Sequence, residues 1–279
     1  MMARVSVSSW LLATPLLLYC LVFLAYPTLY AIRLAFSDPH TAAFPSTANF
    51  QLIWNDALFW RALRNNVILP AASVAVELLG GLALALLLAA RFPGRRYVRA
   101  VVVIPFALPE IVFLTMMRYL FAPRGYVNAA LVAAGAGPLD WLLPGRWLTF
   151  VVVVIADAWH VTPVVFLLLL AALTTIPEEV TEAAQLDGAR GLRRLLFITL
   201  PLLTPALIAA VLLRGLDALR TFATPLVLTG VEGVPVLSTY AFHQWSDYGN
   251  DGAAAAAAVL LALLSVALTL PLLRRRVGP

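Results

Sequence analysis

Apolar residues in this chain neither alternate nor form narrow stripes; they run on. Six segments stay apolar long enough to cross a bilayer, from about Leu11 to Phe36, Val67 to Ala90, Val98 to Phe121, Leu148 to Leu173, Pro201 to Leu228 and Ala253 to Leu273. A membrane helix needs ~20 such residues, because a rise of ~1.5 Å each must cover a hydrocarbon layer of ~30 Å. The pattern predicts an all-α polytopic membrane protein with six transmembrane helices in one domain over residues 1–279. The first segment exceeds the roughly 7–15 apolar residues of a signal peptide, and Pro27 and Arg33 stand where cleavage would be sought, so it reads as a retained helix.

Prolines recur within these segments at Pro70, Pro105, Pro109, Pro163, Pro205 and Pro225. Membrane helices tolerate such breaks where neighbouring helices or a cavity satisfy the freed backbone groups. A static anchor has little use for them, whereas a moving bundle with a polar pathway does.

Composition removes whole classes of function. Of 279 residues, 62% are hydrophobic and 12% charged, which excludes a soluble domain and leaves no room for a large catalytic one. All 19 basic residues are arginine. Without lysine there is neither a P-loop of the Gly-x-x-x-x-Gly-Lys type nor Schiff-base chemistry, so any nucleotide-driven step belongs to another chain. The arginines flank apolar runs and form no basic face, which argues against nucleic acid despite the pI near 9.8. Cys20 stands alone in an apolar run, and the three histidines have no metal-ligand spacing.

Arginine placement sets an expected orientation. Arg91, Arg95, Arg96 and Arg99 crowd the second connection, Arg190, Arg193 and Arg194 the fourth, and Arg274, Arg275 and Arg276 the tail; with Arg4, that side holds eleven. The opposite side holds seven, among them Arg61, Arg64, Arg146 and Arg220. Both termini are therefore expected in the cytoplasm, with the protein in the cell membrane. Within the spans, Arg214, Asp217 and Arg220 stand three apart and are expected to neutralise one another, while Glu77 and Glu110 call for arginines on other helices or a proton.

The connection from Thr174 to Pro205 reads TTIPEEVTEAAQLDGARGLRRLLFITLPLLTP. Thr175 stands three residues before Glu178, a capping-box spacing, and Val180, Ala183, Ala184 and Asp187 share one helical face. Gly188 interrupts this helix before a second one rises toward Pro201. By local pattern alone this is an ordinary cytoplasmic connector.

A wider match changes that reading. Glu182-Ala183-Ala184, three residues, Gly188, nine residues, then Ile198, Leu200 and Pro201 resembles the EAA loop of ABC importer permeases. The longer form IPEEVTEAAQLDGA is similar to the carbohydrate-uptake branch, the maltose and glycerol-phosphate permeases. Likeness extends to Tyr26-Pro27, to Phe59-Trp60-Arg61 through Asn65-Asn66, to Asp157-Ala158-Trp159 with Pro163, and to Leu228-Thr229-Gly230. The family usually has Thr at the position of Asn66, a small or apolar residue at Glu110, and Gly-Gly-Pro where Val231-Glu232-Gly233 stands.

This resemblance implies a type I permease fold with a cytoplasmic coupling loop over 174–200. In the coupling role Ala183 and Ala184 supply close packing, Glu182 and Asp187 polar anchoring, and Gly188 the turn. It also implies a second, different permease subunit, a cytoplasmic ATPase dimer carrying ATP and Mg²⁺, and an extracytoplasmic solute-binding protein; the chain itself binds no cofactor. Asp157, Trp159 and His160 are the candidates for lining a sugar pathway, since aromatic faces and hydrogen-bonding groups suit a neutral polyol. An inward-facing Arg214 would instead favour a phosphate-bearing solute. Competing classes are a permease for a non-sugar solute, an ATP-independent carrier, which would commonly show inverted repeats, and an intramembrane enzyme, which would need a nucleophile beside a base.

Overall fold

The computed structural model of the chain describes residues 7–90 and 92–274, and among these every regular element is a helix. Arg4, Arg91, Arg275 and Arg276, which entered the orientation count, and the chain end to Pro279 lie outside the described residues. In chain order the elements are α1 (Thr14–Ala35), α2 (Ala48–Trp54), α3 (Ala57–Ala89), α4 (Arg95–Ala107), α5 (Glu110–Leu120) and α6 (Tyr126–Ala133). There follow α7 (Trp147–Thr174), α8 (Glu178–Leu186), α9 (Gly191–Leu219), α10 (Ala223–Gly233), α11 (Leu237–Ser246) and α12 (Asp251–Arg274). Five of them, α1, α3, α7, α9 and the Asp251–Leu270 part of α12, are each long and apolar enough to cross a membrane. Two bent pairs, α4–α5 and α10–α11, meet the same standard jointly.

Three expected spans are redrawn, each for a local reason. The second begins at Ala57 rather than Val67, because Asp56 caps it by accepting the Leu58 N–H at 2.8 Å. The third, expected unbroken from Val98 to Phe121, is α4 and α5 meeting at 95°. Leu108 precedes Pro109, whose ring pushes it out of the helical region to φ −80°, ψ 143°. The fifth, expected from Pro201 to Leu228, starts earlier at Gly191 and stops at Leu219. The chain then turns through Arg220–Phe222 into α10, where Pro225 sits in the first turn and its missing N–H costs no helical bond. Pro70, Pro163 and Pro205 stay inside α3, α7 and α9.

α3 and α7 form the central pair. Gly81 approaches α7 so closely that a Cβ there would sit 2.7 Å from Val165 Cγ1. Such approach at a small residue is what holds helices together in lipid, where no difference in hydrophobicity drives them. Buried side chains stack in three tiers along this pair. At the α2 end, Ile53, Phe59, Leu237 and Tyr240 meet the alanines that open α12. Leu69, Phe113, Leu114, Val153 and Leu228 fill the middle, and Leu88, Phe166, Leu169 and Ala210 the α8 end.

Candidate functional site

At the α8 end, the segment after α7 folds as a short helix, a reversal and a long helix. The expected capping box is not made: the Thr175 hydroxyl donates to Ala172 O at 2.8 Å, and α8 begins after Pro177. Glu178 and Glu179 occupy the first turn, where carboxylates offset the positive end of the helix dipole. Its other end is a Schellman motif, with Ala189 N–H on Ala184 O at 2.8 Å and Gly188 N–H on Gln185 O at 3.1 Å. Gly188 holds φ +77° there with open space around its missing Cβ, so glycine is required by the backbone and not by crowding. Ala184 is buried, whereas Glu182, Ala183, Leu186, Asp187 and Gly188 face outward. Leu186 is 90% exposed, an apolar side chain on a polar hook.

In mid-bundle a second constellation gathers side chains from different helices. Arg214 of α9 is 3% exposed and Glu77 of α3 fully buried. Arg214 Nε donates to Glu77 Oε2 at 2.7 Å and Nη2 to Oε1 at 2.9 Å, a two-pronged fit of guanidinium to carboxylate. Nη1 donates to Asp217 Oδ2, and Nη2 also lies 4.0 Å from Asp157 Oδ2 on α7. Asp157 in turn accepts the Thr224 hydroxyl of α10 at 3.3 Å. One guanidinium thus serves three carboxylates and ties four helices together. A lone charge at the bilayer centre costs roughly 2.5–3.5 kcal/mol on insertion scales, and pairing removes much of that cost. The cluster is sealed except at one point, the Asp217 side chain, which is 73% exposed.

The expected Arg214–Asp217–Arg220 triad is therefore corrected. Arg214–Asp217 forms, but Glu77 takes the leading place, and Arg220 turns away to Leu216 O at 3.5 Å. Glu110 is exposed in the first turn of α5, and among the described residues no ion pair reaches it. Of the three pathway candidates, Asp157 belongs to this cluster, while Trp159 and His160 belong to an aromatic group. His160 stacks on Phe113 with centroids 4.9 Å apart, Trp159 meets Phe113 edge-on at 6.4 Å, and His160 Nε2 is buried without a hydrogen-bond partner. Trp159 remains 52% exposed.

Sequence reasoning missed a third set of contacts, at the α2 end. Asn66 Nδ2 donates to Leu219 O at 3.0 Å and its Oδ1 accepts Leu237 N–H at 3.0 Å. Asn65 Nδ2 donates to Pro235 O and Arg61 Nη2 to Glu232 O, both at 2.9 Å. The opening of α3 thus holds the α10–α11 hairpin by its backbone. Arg61 and Asn65 are four apart in front of an apolar run, and that polar face was the available signal.

Comparison with known proteins gives a consistent picture. The family described as binding-protein-dependent transport system inner membrane component matches residues 78–278. The chain is 36% identical over 227 residues to the trehalose transport system permease protein SugA of Mycobacterium tuberculosis, spanning 80% of this chain and 73% of that one. It is 35% identical over 276 residues to the trehalose/maltose transport system permease protein MalF of Thermococcus litoralis, spanning 95% and 92%. Among solved structures it is similar to a chain of a bacterial ABC transporter involved in import of the acidic polysaccharide alginate. That match has a TM-score of 0.86 at 23% identity and covers 98% of this chain and 97% of that one.

Proposed function

The chain belongs to the family of binding-protein-dependent transport system inner membrane components, and from that premise we propose that it is the permease subunit through which a sugar or related polyol is imported. The matched region, residues 78–278, carries the reading, since it contains α8 with its reversal and Arg214, Asp217, Asp157 and Thr224 of the cluster, with Glu77 one residue before it. The sugar class draws its support from the two permeases for trehalose and trehalose/maltose. A phosphate-bearing solute has no support in the geometry, because Nε, Nη1 and Nη2 of Arg214 are all engaged by carboxylates.

In this reading α8 is the lever. It docks into a cytoplasmic ATPase dimer that binds ATP and Mg²⁺, with Ala183 and the exposed Leu186 supplying the contact, Glu182 and Asp187 the polar anchors, and Gly188 the rigid reversal into α9. The buried Ala184 backs α8 instead of meeting the ATPase. Closure of the dimer moves α9, and the Arg214 cluster passes that movement to α3, α7 and α10. A second, different permease completes the pathway, and an external binding protein delivers the solute. Trp159, half exposed beside His160, offers an aromatic face to a sugar ring, whereas Asp157, buried on Arg214 and Thr224, holds the wall behind it rather than reaching the solute. Both termini lie in the cytoplasm, where Arg95, Arg96, Arg190, Arg193 and Arg194 cluster at the α8 end.

Reconstitution in proteoliposomes with the partner subunits and binding protein tests this directly. Uptake of labelled trehalose or maltose is expected, lost when the P-loop lysine of the ATPase is changed. Solute uptake that persists after that change would sink the reading.

A further inference from the structure

The geometry points to a binding site for an anionic phospholipid headgroup at the α2 end of the bundle, between the openings of α3 and α7. A cavity of about 690 Å³ lies there, lined by Arg61, Arg64, Arg146 and Trp147 and, from the α10–α11 hairpin, by Glu232, Gly233 and Val234. Three guanidinium groups share it with one carboxylate, that of Glu232. Arg61 spends one N–H on Glu232 O, and among the described residues no ion pair involves Arg61, Arg64 or Arg146. These arginines also stand at the end opposite the α8 cluster, against the usual bias of basic residues to one side. Their charge is unspent and calls for an anion.

Depth identifies which anion. α3 has 33 residues and so extends ~50 Å, some ~20 Å more than the hydrocarbon layer. The overhang falls at the opening, which carries Arg61, Arg64, Asn65 and Asn66, while Glu77 alone is charged over 67–89. The first turns of α3 therefore stand in the headgroup zone, and Trp147, 73% exposed, opens α7 beside them as interfacial tryptophans do. One helical turn below Arg64, Arg146 and Trp147 the lining is apolar, and the one polar residue between, Asn65, spends its amide on Pro235 O. Ile68 lies below Arg64, Phe150 below Arg146 and Val151 below Trp147. Ile68 is 48% exposed. Cationic groups above an open apolar wall match a phosphate with acyl chains beneath it. A soluble anion has no use for the wall, and an acidic protein segment has no use for its depth.

The test uses the purified chain with the subunits that accompany it, in nanodiscs of phosphatidylcholine with or without phosphatidylglycerol. Arg64→Gln with Arg146→Gln leaves Arg61 in place to hold the hairpin, and Arg64→Lys with Arg146→Lys keeps the charge. Native mass spectrometry is expected to show bound phosphatidylglycerol on the wild type, about tenfold weaker retention by the glutamine pair, and near wild-type retention by the lysine pair. Should the glutamine pair fold poorly, Arg146→Gln alone carries the same expectation at smaller size. Equal retention by wild type and glutamine variants would overturn the site. Displacement of the lipid by inorganic phosphate would also overturn it, by assigning the pocket to a soluble anion. So would a loss of binding-protein stimulation with lipid retention unchanged, which would give the face to a protein.

Discussion

Arg214 shows how much a single side chain decides inside a membrane. Its partner Glu77 is 137 positions away, and the pair is buried on both sides. Breaking a buried pair by removing one member costs about 3–5 kcal/mol, because the survivor is left charged and dry. Arg214→Met is therefore expected to lower the melting temperature of the purified protein sharply. Adding Glu77→Gln should recover part of the loss, since no orphan carboxylate then remains on α3. A double variant no more stable than Arg214→Met would show that the pair is not the seat of the effect. Asn66 illustrates the same scale in neutral form: one amide side chain satisfies a carbonyl on α9 and an N–H on α11. The sequence shows that such residues exist and that lipid makes them costly. It does not show what they touch, and spacing alone groups Arg220 with Arg214, although Arg220 turns to Leu216 O.

Among the elements, two glycines do opposite jobs. Gly188 ends α8 in a left-handed conformation that costs an ordinary L-residue roughly 1–2 kcal/mol, and a β-branched one more. Gly188→Val should therefore insert at normal abundance yet lose coupled uptake, whereas Gly188→Asn, which tolerates φ > 0, should keep a substantial part of it. Normal uptake by the valine variant would contradict the lever role of this turn. Gly81 is needed for space instead, since a Cβ would meet Val165 Cγ1 at 2.7 Å and the Phe166 backbone at 3.1 Å. Gly80, beside it, would place a Cβ at an ordinary 3.5 Å from Thr162. Thermal melts are expected to separate Gly81→Val, which forces α3 from α7, from a nearly neutral Gly80→Ala. The EAA spacing marked Gly188 in the sequence; nothing there distinguished Gly81 from Gly80, because only the facing helix makes them different.

At the level of the whole molecule, the ends of the bundle carry different chemistry. The α8 end has a polar hook with an exposed leucine, and the α2 end a hairpin held by its backbone. In the proposed orientation, with Cys20→Ser as background, Thr41→Cys should react with a membrane-impermeant thiol reagent on intact cells. Gln185→Cys, exposed on α8, should react only after the membrane is opened. The reverse pattern would invert the topology and remove α8 from the ATPase. The proposed lipid site belongs at this scale too, since the Arg64 and Arg146 pocket exists only where the openings of α3 and α7 meet.

The membrane class and the all-helical fold were legible in the sequence alone, whereas three of the six expected spans were redrawn by local breaks and caps. The free energy of moving an apolar run into hydrocarbon is close to a sum over neighbouring residues, and such a sum can be read along the chain. The reversal at Gly188 was legible for a similar reason, because a helix end is a local event. Tertiary structure alone decided that Glu77 is the leading partner of Arg214, that Asn65 and Asn66 hold a hairpin some 170 residues away, and that three arginines share one cavity. Those outcomes depend on which helix faces meet and at what depth, and no periodicity within a single helix encodes the identity of its neighbour.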